Sequence, residues 1–281
     1  MSPQPLTRRQ VLSLGCLSVA SLAGCASQAT LSEDTPPVQT DIPTFTKAIA
    51  IEERDLVVTL PDGHDIEELT LVDPDGQHFA TRPIQTGVTQ ARFELLDPRL
   101  WGADYVHYEP GTYELVGVSE ERTEKQEIPL EPDIRIADVR QPTGSGISGE
   151  ESLIEVEVEN LGTGPTWIYE ITYADAPYWG ANNEMGDNPG QVYLISPNPN
   201  QATILEPKEK GRYVGFGRPL LFESESACHG TQVEFGIQIG LGTGSVVSDE
   251  IVVLPNGNSK ESYPQGRWSC GSVELRIRDE K

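Results

Sequence analysis

Apolar and polar residues alternate along most of this chain with a period of two, and a period near 3.6 is almost absent. Such alternation turns one side of an extended segment to a core and the other to solvent. The clearest run is LIEVEVEN. It sets Ile154, Val156 and Val158 on one side and Glu155, Glu157 and Glu159 on the other, so one face packs and the other meets water.

Upstream, DLVVTL, ELTLV, ARFELL, GTYELVGVS and KQEIPL read as strands. Phe93 and Leu95 share one face, and Tyr113 and Leu115 another. Pro61-Asp62-Gly63 and Asp73-Pro74-Asp75-Gly76 supply turns, with Pro74 suited to the second turn position and Gly76 to the last. Downstream, DIRIADV puts Ile134 and Ile136 together. TWIYEITYA, ATIL, GRYVGFG, QVEFGIQIG, SDEIVVL and SVELRIR follow. Short strands punctuated by 27 Gly and 22 Pro predict an all-β fold of the sandwich type. A first domain is expected over residues 46–132 and a second over 133–281. The surplus of the second falls in a loop at 174–200 and a tail at 256–271.

The N-terminus follows another rule. Val11 to Gly24 is an apolar run of 14 residues interrupted by Ser13, Ser18 and Ser21, whereas a spanning helix needs roughly 20. A short apolar core behind Arg8 and Arg9 reads as an export signal, and the arginine pair resembles a twin-arginine signal. Leu22-Ala23-Gly24-Cys25 resembles the lipobox of prokaryotic lipoproteins. That resemblance implies cleavage before Cys25 and lipid on its sulfur, with Cys16 discarded. Residues 1–24 are then a signal peptide, and 25–45 a lipidated tether extended by its prolines.

Charge sharpens the setting. The formal charge is −24, or −26 once Arg8 and Arg9 leave with the signal. The acids are spread over both predicted domains, so nucleic acid is excluded as a partner: no basic patch exists to meet phosphates. A globular, acidic chain with 6 Lys against 14 Arg resembles proteins of halophilic archaea. Its self-repulsion is screened in molar salt, where the Debye length is about 3 Å, and its folded state is expected to need high salt.

Glu159-Asn160-Leu161-Gly162-Thr163-Gly164-Pro165 joins two strands, and Glu206-Pro207-Lys208 follows some 40 residues later. This arrangement, over residues 133–254, is similar to the immunoglobulin-like, adhesion-related domains of prokaryotic surface proteins. The resemblance implies an immunoglobulin-like sandwich that spaces or sticks, with no catalytic residue. The insertion at 174–200 departs from the pattern.

Candidate chemistry is sparse. With Cys25 lipidated, Cys228 and Cys270 remain, and an exported pair most simply forms a disulfide. The alternative is a metal or nucleophile site using Cys228 beside His229, although metal sites need further ligands at defined spacing. Gly144-Ser145-Gly146-Ile147-Ser148-Gly149 matches a dinucleotide-binding pattern in letters. The required helix is missing, since Glu150-Glu151 and a strand follow. His64, His78, His107 and His229 fall in predicted turns. Asp73 with Asp75, and Asp62 with Asp65, are oxygen donors suited to Ca²⁺ but equally ordinary turn residues.

Two loops carry aromatics. One holds Trp101, Tyr105 and Tyr108. The other holds Tyr178 and Trp179 beside Asn182, Asn183 and Asp187. Aromatic faces with amides suit sugar or protein contacts; the same side chains also suit capping the open ends of a sandwich.

The expected protein is therefore two tandem immunoglobulin-like β-sandwich domains behind a signal and tether. It would be membrane-anchored on the extracellular face, non-enzymatic and without a cofactor. Its partners would be the membrane, through the lipid, and a surface protein or glycan. The alternative is a ligand-binding, carbohydrate-type lipoprotein using Tyr178, Trp179, Asn182 and Asn183.

Overall fold

The computed structural model describes residues 45–97, 108–144, 147–178, 181–182, 184–185, 192–194, 204–215 and 217–278. Among them there is no α-helix, and every sheet is antiparallel.

The first seven strands are β1 (Ala48–Glu52), β2 (Asp55–Thr59), β3 (Glu68–Val72), β4 (His78–Pro83), β5 (Gln90–Glu94), β6 (Gly111–Val118) and β7 (Thr123–Leu130). They form two sheets, β1-β2-β5 and β4-β3-β6-β7. The alternation explains the packing. Leu56, Val58 and Phe93 from one sheet meet Leu69, Leu71, Tyr113 and Leu115 from the other in a single core.

Next come β8 (Ile134–Arg140), β9 (Glu155–Asn160), β10 (Thr166–Ala174), β11 (Val192–Leu194), β12 (Ile204–Leu205), β13 (Lys210–Gly215), β14 (Val233–Leu241), β15 (Val246–Ser262) and β16 (Arg267–Ile277). Their sheets run β11-β13-β9-β8 and β12-β10-β14-β15-β16. Ile136, Val156, Val158 and Tyr213 face Ile168, Ile171, Phe235, Ile237, Ile239 and Ile251 across a second core. With β11 and β16 set aside, this half repeats the first strand for strand. The first, second and fifth strands make one sheet; the fourth, third, sixth and seventh make the other. That is the A-B-E and C-F-G pairing of immunoglobulin-type sandwiches.

The two cores fall on either side of residues 131–133, and all described residues belong to one compact unit. The turn after β9 supplies the join. Thr163 N donates to Glu131 O at 2.8 Å, and Leu161 N to Asp133 O at 2.7 Å. Tyr108, fully buried, donates its hydroxyl to Pro165 O at 2.5 Å. Gly162 and Gly164 are required by this closeness. A Cβ on Gly162 would lie 2.1 Å from Glu131 O, and one on Gly164 2.4 Å from the Tyr108 hydroxyl.

Three features depart from the sequence reading. Residues 256–271 are no loose tail; they extend β15 and β16 into a long hairpin. The 174–200 segment contains strand β11, and its Met185 meets Tyr169 over Gly240 on the outer face of β10 and β14. Correspondingly, Glu170 and Thr172 of β10 are buried on that outer side. Third, Glu155 does not meet water. Arg140 and Arg212 cover it, and its side chain is 5% exposed.

Candidate functional site

The polar face of the β8-β9-β13 sheet is a cross-strand ion-pair lattice rather than a row of free acids. β9 lies between β8 and β13 in register, so its outward carboxylates Glu155 and Glu159 sit between basic side chains on both neighbours, while Glu157, opposite Asp138, meets Lys210 of β13 at 3.8 Å. Arg135 donates Nε and Nη2 to Glu159 Oε2 at 3.2 and 2.8 Å, while Lys210 Nζ stands 3.5 Å from Oε1. The Arg135 hydrogen bond, then the Lys210 charge, hold the Glu159 carboxyl below its usual range. Arg140 and Arg212 both reach Glu155 Oε1. Hydrogen bonding to Glu155 also raises the Arg140 guanidinium above its ordinary value.

The cysteines come together. Cys228 and Cys270 form a disulfide with Cα atoms 5.3 Å apart, and both are buried. Cys228 lies in a short 3₁₀ turn, Glu225–His229, capped by the Ser224 side chain and ended by left-handed Gly230. Cys270 lies on β16 at the root of the long hairpin, where Phe222 and Trp268 also exchange backbone hydrogen bonds at 2.9 Å. The bond removes Cys228 as a metal ligand or nucleophile. The hairpin tip carries Tyr263, which is 82% exposed.

The aromatic loop is divided. Tyr178 is half-buried against the second core, with the Arg267 guanidinium 5.4 Å from its ring centroid. Asn182 spends its amide on its own chain: Oδ1 accepts from Ala176 N at 2.7 Å, and Nδ2 donates to Ala176 O at 3.3 Å. These two residues brace the loop on the end of the sandwich. Trp179 and Asn183 lie outside the described residues, as do Trp101, Tyr105, His107, Asp187, Arg8, Arg9 and Cys25. Tyr108 belongs to the core, and burial pushes its hydroxyl pKa strongly upward.

The other candidate residues take turn and surface roles. Asp73 Oδ1 accepts from Gln77 N at 2.6 Å, closing its turn. His64 Nε2 lies 2.9 Å from Val88 O, and His78 Nε2 2.9 Å from Thr81 Oγ1. Among the described residues no group of three or more His, Cys, Asp or Glu could hold a metal ion.

One concavity was not foreseen. It is an open groove of about 800 Å³ on the outer face of β14, β15 and β16. Gly236, beside Ala174 of β10, keeps its floor low. Gln238 and Ser248 offer neutral donors and acceptors there, and Glu234, Glu250, Arg276 and Arg278 line it with both charges. Arg278 pairs with Glu250 and with Glu234. The sequence signal was present but indirect: the polar members of QVEFGIQIG, SDEIVVL and SVELRIR share one face once their pairing is known.

No family model matches the chain, and no curated protein matches it. Among the solved structures that align with the chain, two do so at very low similarity. One is a β-glucuronidase from glycoside hydrolase family 2, with 11% identity and a TM-score of 0.22 over 79% of this chain and 20% of that one. The other is a protein of unknown function from Porphyromonas gingivalis W83, with 11% identity and a TM-score of 0.20 over 72% and 94% of the two chains. This chain therefore spans a fifth of the glucuronidase, and TM-scores this low carry no functional argument.

Proposed function

We propose that the protein is an exported lipoprotein held at the outer face of a cell membrane through Cys25. Its work there is contact or spacing, without catalysis, and its acidic composition fits a halophilic setting. The observation that carries this reading is the Cys228–Cys270 disulfide. Such bonds persist in oxidising, extracytoplasmic compartments, which is where a lipobox behind Arg8 and Arg9 would send the chain. Repeated immunoglobulin-type strand pairing supports a spacing or adhesive role, since that scaffold serves many cell-surface proteins.

A second reading, a ligand-binding lipoprotein of carbohydrate type, draws support from the groove. Its mixture of amide, hydroxyl, carboxylate and guanidinium groups suits a polyhydroxylated ligand.

The test is mass analysis of the protein recovered from membranes of an expressing prokaryote. The expected N-terminal peptide begins at Cys25 and carries lipid, and Cys25→Ser releases the chain from the membrane fraction. A mature chain starting elsewhere, or an unmodified Cys25, would overturn the proposal.

A further inference from the structure

Strand β16 ends its sheet; β8 of the facing sheet packs near it, but among the described residues no backbone hydrogen bond reaches its outer edge from Val273 to Ile277. Two bonds show which backbone groups face outward. Arg278 N donates to Glu250 O on β15 at 2.8 Å. Pro255, opposite Val273, turns its carbonyl away from β16 and accepts from Gly230 N at 3.1 Å. Alternate residues of a strand address opposite edges. Hence Val273, Leu275 and Ile277 turn their N–H and C=O groups to the open side, where no backbone partner exists among the described residues.

Five of the other edge strands are guarded in ways natural proteins use against strand addition, β1 and β5 being the exceptions. β4 ends in Pro83 and β7 contains Pro129. β8 carries a register shift between Ile136 and Asp138. β11 and β12 have three and two residues. The 273–277 stretch has no proline and no register shift.

We infer that this edge pairs with a second copy of the chain, β16 against β16, antiparallel about a two-fold axis at Leu275. The sequence is self-complementary in that register and in no neighbouring one. Leu275 meets its own copy, and Val273 meets Ile277, so the half-buried apolar row continues from one core to the next. On the opposite face Glu274 meets Arg276, twice. Among the described residues neither Glu274 nor Arg276 makes an ion pair, whereas Arg54, Arg92, Arg122, Arg135, Arg140, Arg212, Arg267 and Arg278 all do. Directly opposed charges of opposite sign stabilise a sheet, and like charges destabilise it.

The pairing is isologous, as two-fold interfaces are, and main-chain hydrogen bonds hold it as in other strand additions. It joins two five-stranded sheets and sets the two grooves side by side, since Arg276 lines each. Overall negative charge opposes the approach of two copies, so association strengthens with salt.

The test is light scattering of the full chain in molar KCl. The expected mass is twice that of the chain, rising toward that value with salt. Glu274→Arg and Arg276→Glu each place like charges in opposition and return the mass to that of one chain. The double reversal restores opposite charges across the axis and restores the dimer. Both residues are exposed, and unchanged near-ultraviolet circular dichroism shows that each variant is folded. A wild-type chain that stays monomeric at every salt and protein concentration overturns the inference. So does a dimer indifferent to the single reversals, or one the double reversal fails to restore.

Discussion

Asn160 shows how much one side chain can organise. It is fully buried, with all of its amide in use. Nδ2 donates to Gly164 O at 2.9 Å and Leu205 O at 3.2 Å, while Oδ1 accepts from Gly162 N at 3.0 Å and Asp133 N at 3.3 Å. It thereby shapes the turn after β9 and ties that turn to β12 and to the link between the cores. The Asn-x-Gly spacing was visible in the sequence, but its meaning lies in four backbone partners spread over 72 residues, from Asp133 to Leu205. Its neighbour Glu159 gives a pH signature. A carboxyl whose folded pKa is depressed contributes stability above its unfolded pKa, and that contribution is lost as pH falls through the folded value. Glu159→Gln is therefore expected to be less stable than wild type at neutral pH, with the gap closing as acid titrates the wild-type carboxylate. Urea denaturation as a function of pH, in constant high salt, checks this. A gap that widens toward acid would contradict it.

At the scale of elements, the disulfide fastens the long hairpin to the second sandwich. Closing its 42-residue separation contributes about 4 kcal/mol in the chain-entropy view. Cys228→Ser with Cys270→Ser should lose roughly that much in denaturant titrations, and limited proteolysis should then cut first within residues 256–271. Full protease resistance of that segment would mean that strand pairing alone holds it. The same hairpin explains where sequence reading stopped. Alternation reports burial of one face, and it identified β2, β3, β5, β6, β8 and β9 because each presents one face to a core. NGNSKESYPQGRWSC is polar on both faces because most of its side chains leave the core, so it carries no alternation although it is paired strand. β10 was read as a strand, but not as a two-sided one: Met185 of the inserted segment lies over its outer face, and eight of its nine residues are buried. β4, HFATRP, has no fully buried residue. The groove was illegible for a related reason, since its residues come from three strands whose register no single run of sequence contains. Cys228 and Cys270 could be read at once, because in an exported chain their pairing depends on number and compartment.

For the whole molecule, the decisive contacts are those at the join. Tyr108 from the first half reaches Pro165 in the second, and Glu53 N donates to Glu206 Oε1 at 2.8 Å. Gly162→Ala introduces a methyl where Glu131 O already stands, an overpacking expected to cost about 2 kcal/mol. More tellingly, it should loosen one half from the other. Small-angle scattering is expected to broaden, and a single unfolding transition to split in two. A variant with wild-type scattering and one sharp transition would show that the join tolerates the methyl.

That join also bears on how such a chain can change over generations. Repeats strung on independent linkers can be duplicated, deleted or exchanged one at a time. Here a hydroxyl on one repeat is matched to a carbonyl on the next, and two positions in the second admit no side chain because the first lies against them. Recombination at residues 131–133 would therefore strand a buried tyrosine and press foreign side chains on a foreign turn. A graft of either repeat must carry the other's contact surface with it.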